Sequence, residues 1–330
     1  LVFAAVNILH SAGALDRIWA APITSGGIAN THTLFNLACA VLLLPLCGLY
    51  EKLSRIVVHD DVRHSQGVEH ELQLLDDKFF TSPELALSSS DEAIATMARL
   101  ACAGADSAMD TLGAYDRAVI ETVQENEQSI DMLADVVNND LVRLSGHMEA
   151  DDNSVLLNYY LQCFSEFERI GDYAVNLTES AEELHARGAQ FSTTARQELA
   201  VLQDALHEIM GYAADAFTTR QARVARHIEP VEEVIDDLVE TLRAAHAPFA
   251  DGKCTVYGGL GFLNSLTNIE RIADQCSNLG IYTIALTDPE IARTHHDYIQ
   301  HLHQGDDSFF NAEYRAAHEK YFGRLAELAG

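Results

Sequence analysis

Four pairs of acids in this sequence have the type and spacing to do chemistry together. Glu127 and Asp131 stand four residues apart in ENEQSIDML, and Glu232 and Asp236 do the same in PVEEVIDDL. Glu168 and Asp172 lie in FERIGDYAVNL, Glu270 and Asp274 in IERIADQCSNL. On a helix, positions i and i+4 sit one above the other with Cβ atoms about 6 Å apart, so each pair puts two carboxylates on one face. Packing two such helices together gathers four carboxylates, and only a cation or proton uptake relieves their repulsion. An all-oxygen set suits magnesium, calcium, manganese or iron better than a thiolate-seeking metal, so the expected cofactor is a divalent or ferric ion at each cluster. The competing reading is a salt-bridged surface without metal, in which Arg169 and Arg271 neutralise part of the charge.

A single pair of this kind says nothing. With 50 acids in 330 residues, roughly half a dozen acidic pairs at i,i+4 arise by chance. The recurrence of E-R-I-[G/A]-D-x-x-x-N-L is much harder to obtain by accident, and the spacing between copies holds to within three residues. Packing between internal copies would preserve such a signature too, so the pattern leaves both a site and a helix contact open.

The elements that must position these acids follow from periodicity. From Ser89 the pattern turns helical, with a capping-box spacing Ser89…Glu92 and then Ile94, Met97, Ala101, Ala105, Ala108 and Leu112 at steps of three and four. A second helix carries Ile130, Leu133, Val137, Leu141 and Leu144 on one stripe. A third carries Leu156, Tyr160, Cys163, Phe167, Ile170, Ala174 and Leu177, the alternation of a bundle seam. The order then repeats: Ser192–Thr218 with Leu199, Leu202, Ile209 and Phe217; a helix through Ile235, Leu238 and Leu242; and a helix with Ile269, Ile272, Cys276 and Leu279. The loop before that last helix, DGKCTVYGGLG, has neither GxGxxG nor Walker spacing and reads as a helix connection. The predicted fold class is all-α, a tandem repeat of two three-helix bundles over 89–190 and 191–290, with a helical tail over 291–330.

Charge divides the chain. Lys and Arg number 21 against 50 Asp and Glu, a net −29, and residues 1–50 contribute only Asp16 and Arg17. So acidic a surface argues against a nucleic-acid partner, which needs basic groups to displace counterions. The six cysteines are scattered with no CxxC, which argues against a disulfide framework or a thiolate zinc site. The opening run LVFAAVNILHSAGAL, at about 1.5 Å per residue, falls short of a ~30 Å hydrocarbon core and reads as the end of a spanning helix in a longer protein. Ile28–Leu49 is uncharged and as a helix would be ~33 Å long, a transmembrane candidate. Its first half is polar: Asn30, Thr33 and Asn36 share a face beside His32, expected to meet another helix or line a substrate path. Lys52, Arg55 and Arg63 then place the chain after about residue 55 on the cytoplasmic side of the cell membrane, with 56–88 as a linker.

ERIGD and ERIAD, each in the third helix of a three-helix repeat, resemble the PhoU family of phosphate-signalling proteins over about 91–290. The resemblance implies multinuclear metal clusters on paired E(D)xxxD motifs and a role in modulating phosphate uptake. It carries over to Glu127, Asp131, Glu168, Asp172, Glu232, Asp236, Glu270 and Asp274. The upstream GIANTHTLFNLACAVLLLP…LYEKL resembles the last membrane helix of bacterial sodium-dependent phosphate cotransporters, which often end in a PhoU-like domain. Phosphate and sodium, the coupling ion, are then the implied partners, through a membrane domain whose Gln-Ser motifs are absent here. The lipid bilayer is a further partner, and a homodimer is compatible. The expected function is a non-enzymatic regulatory portion of such a transporter. A membrane-tethered regulator of a separate transporter or kinase is the alternative. A carboxylate-bridged di-metal enzyme ranks lower, for want of Glu-x-x-His pairs. In the tail, His295, His296, His301 and His303 read as exposed, with an auxiliary metal or pH-sensitive contact as the alternative.

Overall fold

Hydrophobic periodicity becomes long helices in the computed structural model, which describes residues 32–33, 35–37, 39, 41, 68, 83–146, 152–246, 256–288, 291, 294–303, 305 and 307–329. The chain divides into two units, Leu1–His64 and Ser65–Gly330. In the first unit the described residues from 32 to 41 are helical. The side chains of His32 and Asn36 meet at 3.2 Å one turn apart, and Thr33 lies on the same helical stretch. Asn30 and most of the apolar stretch 28–49 lie outside the described residues. Among the described residues, no helix is long and apolar enough to cross a membrane.

In the second unit α1 spans Pro83–Gly113, α2 Arg117–Ser145 and α3 Asp152–Ala186. Helix α1 therefore begins six residues before Ser89, inside the expected linker. Proline suits a first helical turn because the missing N–H would have no partner there, and Glu84 complements the helix dipole. Ser90 lies inside the helix, its hydroxyl donating to the Ala86 carbonyl at 3.0 Å. Two later starts are capped: Asp116 accepts from the Ala118 N–H at 2.9 Å, and Ser192 from that of Ala195 at 3.0 Å.

Next come α4 (Thr193–Thr219), the single turn α5 (Ala222–Ala225), α6 (Ile228–His246) and α7 (Val256–Ala285). Helices α8 (His295–His303) and α9 (Ser308–Ala329) follow. No strand occurs among the described residues. The predicted stripes face inward: Leu133, Val137, Leu141, Phe167, Ile170, Leu202, Leu238 and Ile272 are all at 0 % exposure.

Helices α1, α2 and α3 pack on one another, as do α4, α6 and α7, and α3 lies along α7 to join the two sets. Phe217 of α4 anchors that junction, with ring centroids 5.6–6.2 Å from Phe167, Tyr159 and Tyr160 of α3. Buried Glu166 of α3 is held there by the Tyr282 hydroxyl of α7 at 3.2 Å and by Arg169 at 3.1 Å. Two glycines set the helix approaches that matter for the acids. A Cβ on Gly171, inside ERIGD, would meet the Ile130 side chain at 3.0 Å, so α3 runs unusually close to α2. In the second copy a Cβ on Gly280 would meet Ile228 at 3.0 Å, which fixes the start of α6 against α7.

Candidate metal centres

The close approach of α2 and α3 brings one carboxylate oxygen each of Glu127, Asp131 and Asp172 within 4.8 Å of one another. Helices α6 and α7 do the same for Glu232, Asp236 and Asp274, again within 4.8 Å. Each cluster takes its Glu–Asp pair from the second helix of its repeat and its third acid from the ERI[G/A]D segment.

Glu168 and Glu270 do not join these triads. Glu168 remains close enough for the charges of Asp131 and Asp172 to act on it. Glu270 accepts from the Arg243 guanidinium at 2.7 Å, while its charge still acts on Asp236 and Asp274. The salt-bridged alternative is met in part: Arg271 eases the charge on Asp274 and Arg169 that on Glu168, though neither guanidinium hydrogen-bonds a triad oxygen. Arg169 bonds Glu166, while the Arg271 guanidinium sits 5.6 Å from the Tyr173 ring centroid.

The electrostatics are those of crowded, partly dehydrated anions. Burial, then the charges of Asp131 and Asp172, pushes Glu127 up to about 7. Burial, then Asp274 and Glu270, lifts Asp236 to about 7 as well. Burial also raises Asp131, Glu168, Asp172 and Asp274, with carboxylate neighbours adding to it for all but Asp172. Glu232 is pushed well above the usual carboxylate range, because it is only 7 % exposed and faces Glu229, Asp236 and Asp274. Asp236 Oδ1 is buried with no hydrogen-bond partner. A buried anionic oxygen without a donor is costly, and a cation is the group that satisfies it. The second cluster therefore fits a hard, oxygen-seeking ion, and the first offers the same kind of oxygens in a more exposed setting.

The two clusters differ in setting. Asp131 and Asp172 are exposed, whereas the second triad opens into a cavity of about 460 Å³ that Glu229, Glu233 and His303 also line. Sequence reasoning passed over Glu229 and Glu233, although Glu233 stands four residues before Asp237 in the same Glu-x-x-x-Asp spacing. They belong to a continuous acidic stripe, Glu229, Glu232, Glu233, Asp236 and Asp237, whose steps of three and four were visible in the sequence. Asp135 extends the first cluster by one turn in the same way. His303 had only the group of tail histidines as a signal, read as exposed with an auxiliary metal or pH-sensitive contact as the alternative, and nothing in the sequence named its partners. It reaches the stripe because α8 folds back, placing Nε2 3.0 Å from Glu229 and Nδ1 3.2 Å from Glu233.

A tandem three-helix bundle with a carboxylate triad between the second and third helix of each copy defines the class: an all-helical protein with paired acidic centres. The family model described as the PhoU domain matches residues 94–181 and 199–283, more than half of the chain. This chain belongs to the PhoU domain family. It is 25 % identical over 193 residues to a phosphate-specific transport system accessory protein PhoU homolog of Burkholderia sp, covering 57 % of this chain and 81 % of that one. A protein of the same description from Xylella fastidiosa (strain 9a5c) is 23 % identical over 202 residues, 60 % of this chain and 83 % of that one. The crystal structure of PhoU from Pseudomonas aeruginosa superposes with a TM-score of 0.59 at 21 % identity, covering 63 % of this chain and 100 % of that one. The Streptococcus pneumoniae phosphate transport system regulatory protein PhoU gives 0.56 at 17 % identity, covering 63 % and 98 %. At these identities the two structures speak for the fold.

Proposed function

We propose that α1–α9 form a non-enzymatic regulatory domain that binds metal ions at its two carboxylate clusters and modulates phosphate uptake. The observation that carries this reading is the recurrence of the triad, Glu127/Asp131/Asp172 and Glu232/Asp236/Asp274, at equivalent places in two copies of one fold. Glu168 and, with a turn of its side chain away from Arg243, Glu270 complete each set to four carboxylates. A bound ion supplies positive charge that offsets the repulsion within a triad. The residues orient it, with two oxygens from one helix and one from the next, so occupancy ties second helix to third.

In this reading the domain acts on a sodium-dependent phosphate cotransporter. Residues 1–55 belong to its membrane domain, and the chain after about residue 55 lies on the cytoplasmic side of the cell membrane. The uncharged stretch Ile28–Leu49 and its resemblance to that family's last membrane helix support it. A second reading is favoured by a different observation: the curated relatives are named as accessory proteins of a phosphate-specific transport system. On that reading the chain is a tethered regulator of a separate transporter or kinase.

The test is metal analysis of the full chain, kept in detergent because its first 50 residues are apolar. Wild type should retain divalent or ferric ions after dialysis, and a variant with all eight acids converted to amides should not. Equal metal content in both would refute the site. Phosphate uptake by vesicles carrying the full-length protein and no other transporter would separate cotransporter from tethered regulator.

A further inference from the structure

Residues 295–329 lie beyond the stretches matched to the family, which end at residue 283. This extension docks on the second repeat. Helix α9 packs on α6 and α4, and Tyr321, at 0 % exposure, bonds Glu208. Tyr314 donates to Asp237 at 2.6 Å. Helix α8 ends at His303, whose ring lies 5.5 Å from that of Phe310 and faces the acidic stripe of α6. His303 lines the same cavity as Glu232, Asp236 and Asp274. The groups facing the first triad, Glu168 and Asp135, are carboxylates. The extension thus gives the second centre something the first one lacks.

Resting on the reading of the triads as metal centres, we infer that His303 supplies a nitrogen ligand to the second centre, which makes it a mixed nitrogen–oxygen site selecting a transition ion. Two properties of the cluster's own side chains point to a ligand there: Asp236 Oδ1 is buried without a hydrogen-bond partner, and Glu232 is more than nine-tenths buried at the cavity wall. A metal-bound histidine characteristically keeps its other ring nitrogen on a carboxylate, which fixes its orientation. As placed, His303 has a carboxylate at each nitrogen, Glu229 at 3.0 Å and Glu233 at 3.2 Å, and stands outside the set of triad oxygens within 4.8 Å of one another. Ligation therefore takes a turn of the ring that keeps one carboxylate and frees the other nitrogen for the ion. Imidazole suits zinc, nickel and the chemically similar cobalt, iron is served by either donor, and carboxylates alone suit magnesium, calcium and manganese. The first centre remains a hard-ion site. Because His303 sits at the end of α8, transition-metal loading of the second centre also clamps the extension onto α6.

The experiment strips the full chain in detergent with a chelator and titrates it with Co²⁺ and, separately, Mg²⁺. Co²⁺ binding is read by visible absorption and equilibrium dialysis, and docking of residues 295–303 by hydrogen exchange. His303→Gln keeps a hydrogen bond to the stripe but not a good ligand. It should weaken one class of Co²⁺ site at least about tenfold, the scale seen when support to a metal ligand is lost. Mg²⁺ binding should not change, and the protection that Co²⁺ gives α8 should disappear. His303→Ala should weaken Co²⁺ binding at least as much. If Asp236→Asn removes a Co²⁺ class while His303→Gln leaves it intact, the second centre is carboxylate-only and this assignment falls alone. Equal loss of Mg²⁺ and Co²⁺ affinity in His303→Gln would mark a purely structural histidine and overturn it too. If Asp236→Asn changes nothing, the metal reading of the triad fails, and the His303 assignment with it.

Discussion

Replacing Asp236 by Asn should stabilise the metal-free protein and destabilise the loaded one. Asp236 rises from an ordinary 3.8 to about 7, through burial first and then Asp274 and Glu270, so above pH 7 its charge opposes folding. Three units at about 1.4 kcal/mol each set a ceiling of ~4 kcal/mol. The carboxylate is partly open to solvent, and screening reduces this to about 1–2 kcal/mol. Asn has nearly the same shape, and the buried Oδ1 has no hydrogen bond to lose. For a unit of this size the gain corresponds to a rise of about 4 °C in Tm. Thermal unfolding with chelator present should show it in full at pH 8. It should fade as pH falls through about 7 toward 3.8, because the native wild type then takes up the proton and sheds the penalty. With saturating divalent ion the order should reverse, since the variant has lost a ligand and gains less from binding. A variant no more stable than wild type in chelator at pH 8 would refute the repulsion argument. So would an advantage undiminished at pH 5.

Phe217→Ala should cost about 3–5 kcal/mol in urea unfolding, because a fully buried ring that touches Phe167, Tyr159 and Tyr160 leaves a cavity where α4 meets α3. Docking of α9 should weaken in acid. Burial alone would raise Glu208, but bonds from Tyr321 and Lys320 outweigh it and hold the carboxyl below its usual 4.5. The stability it contributes is complete above that value and lost as pH falls through the lower, folded one. Exchange of residues 308–329, corrected for intrinsic rates, should accelerate there in wild type but show no such transition in Glu208→Gln.

The local half of this protein was legible in its sequence. Steps of three and four named the buried stripes of α2, α3, α4, α6 and α7, because a helix repeats every 3.6 residues whatever it packs against. The duplicated ERI[G/A]D marked the repeat and pointed to Asp172 and Asp274 as partners of the second-helix pairs. The start of α1 was misplaced because Pro83 and Glu84 begin the helix ahead of the serine run, where a cap spacing at Ser89 offered a competing start. What the tertiary structure decided was which acids meet. Glu270 has the same motif position as Glu168, yet it turns to Arg243, 27 residues away, and no spacing announces that choice. His303 stands 74 residues from Glu229 in the chain, and only the return of α8 across α6 puts the two 3.0 Å apart. Helical periodicity is a property of neighbouring residues, whereas the partner a carboxylate finds depends on how separate helices pack and on which charge reaches it first.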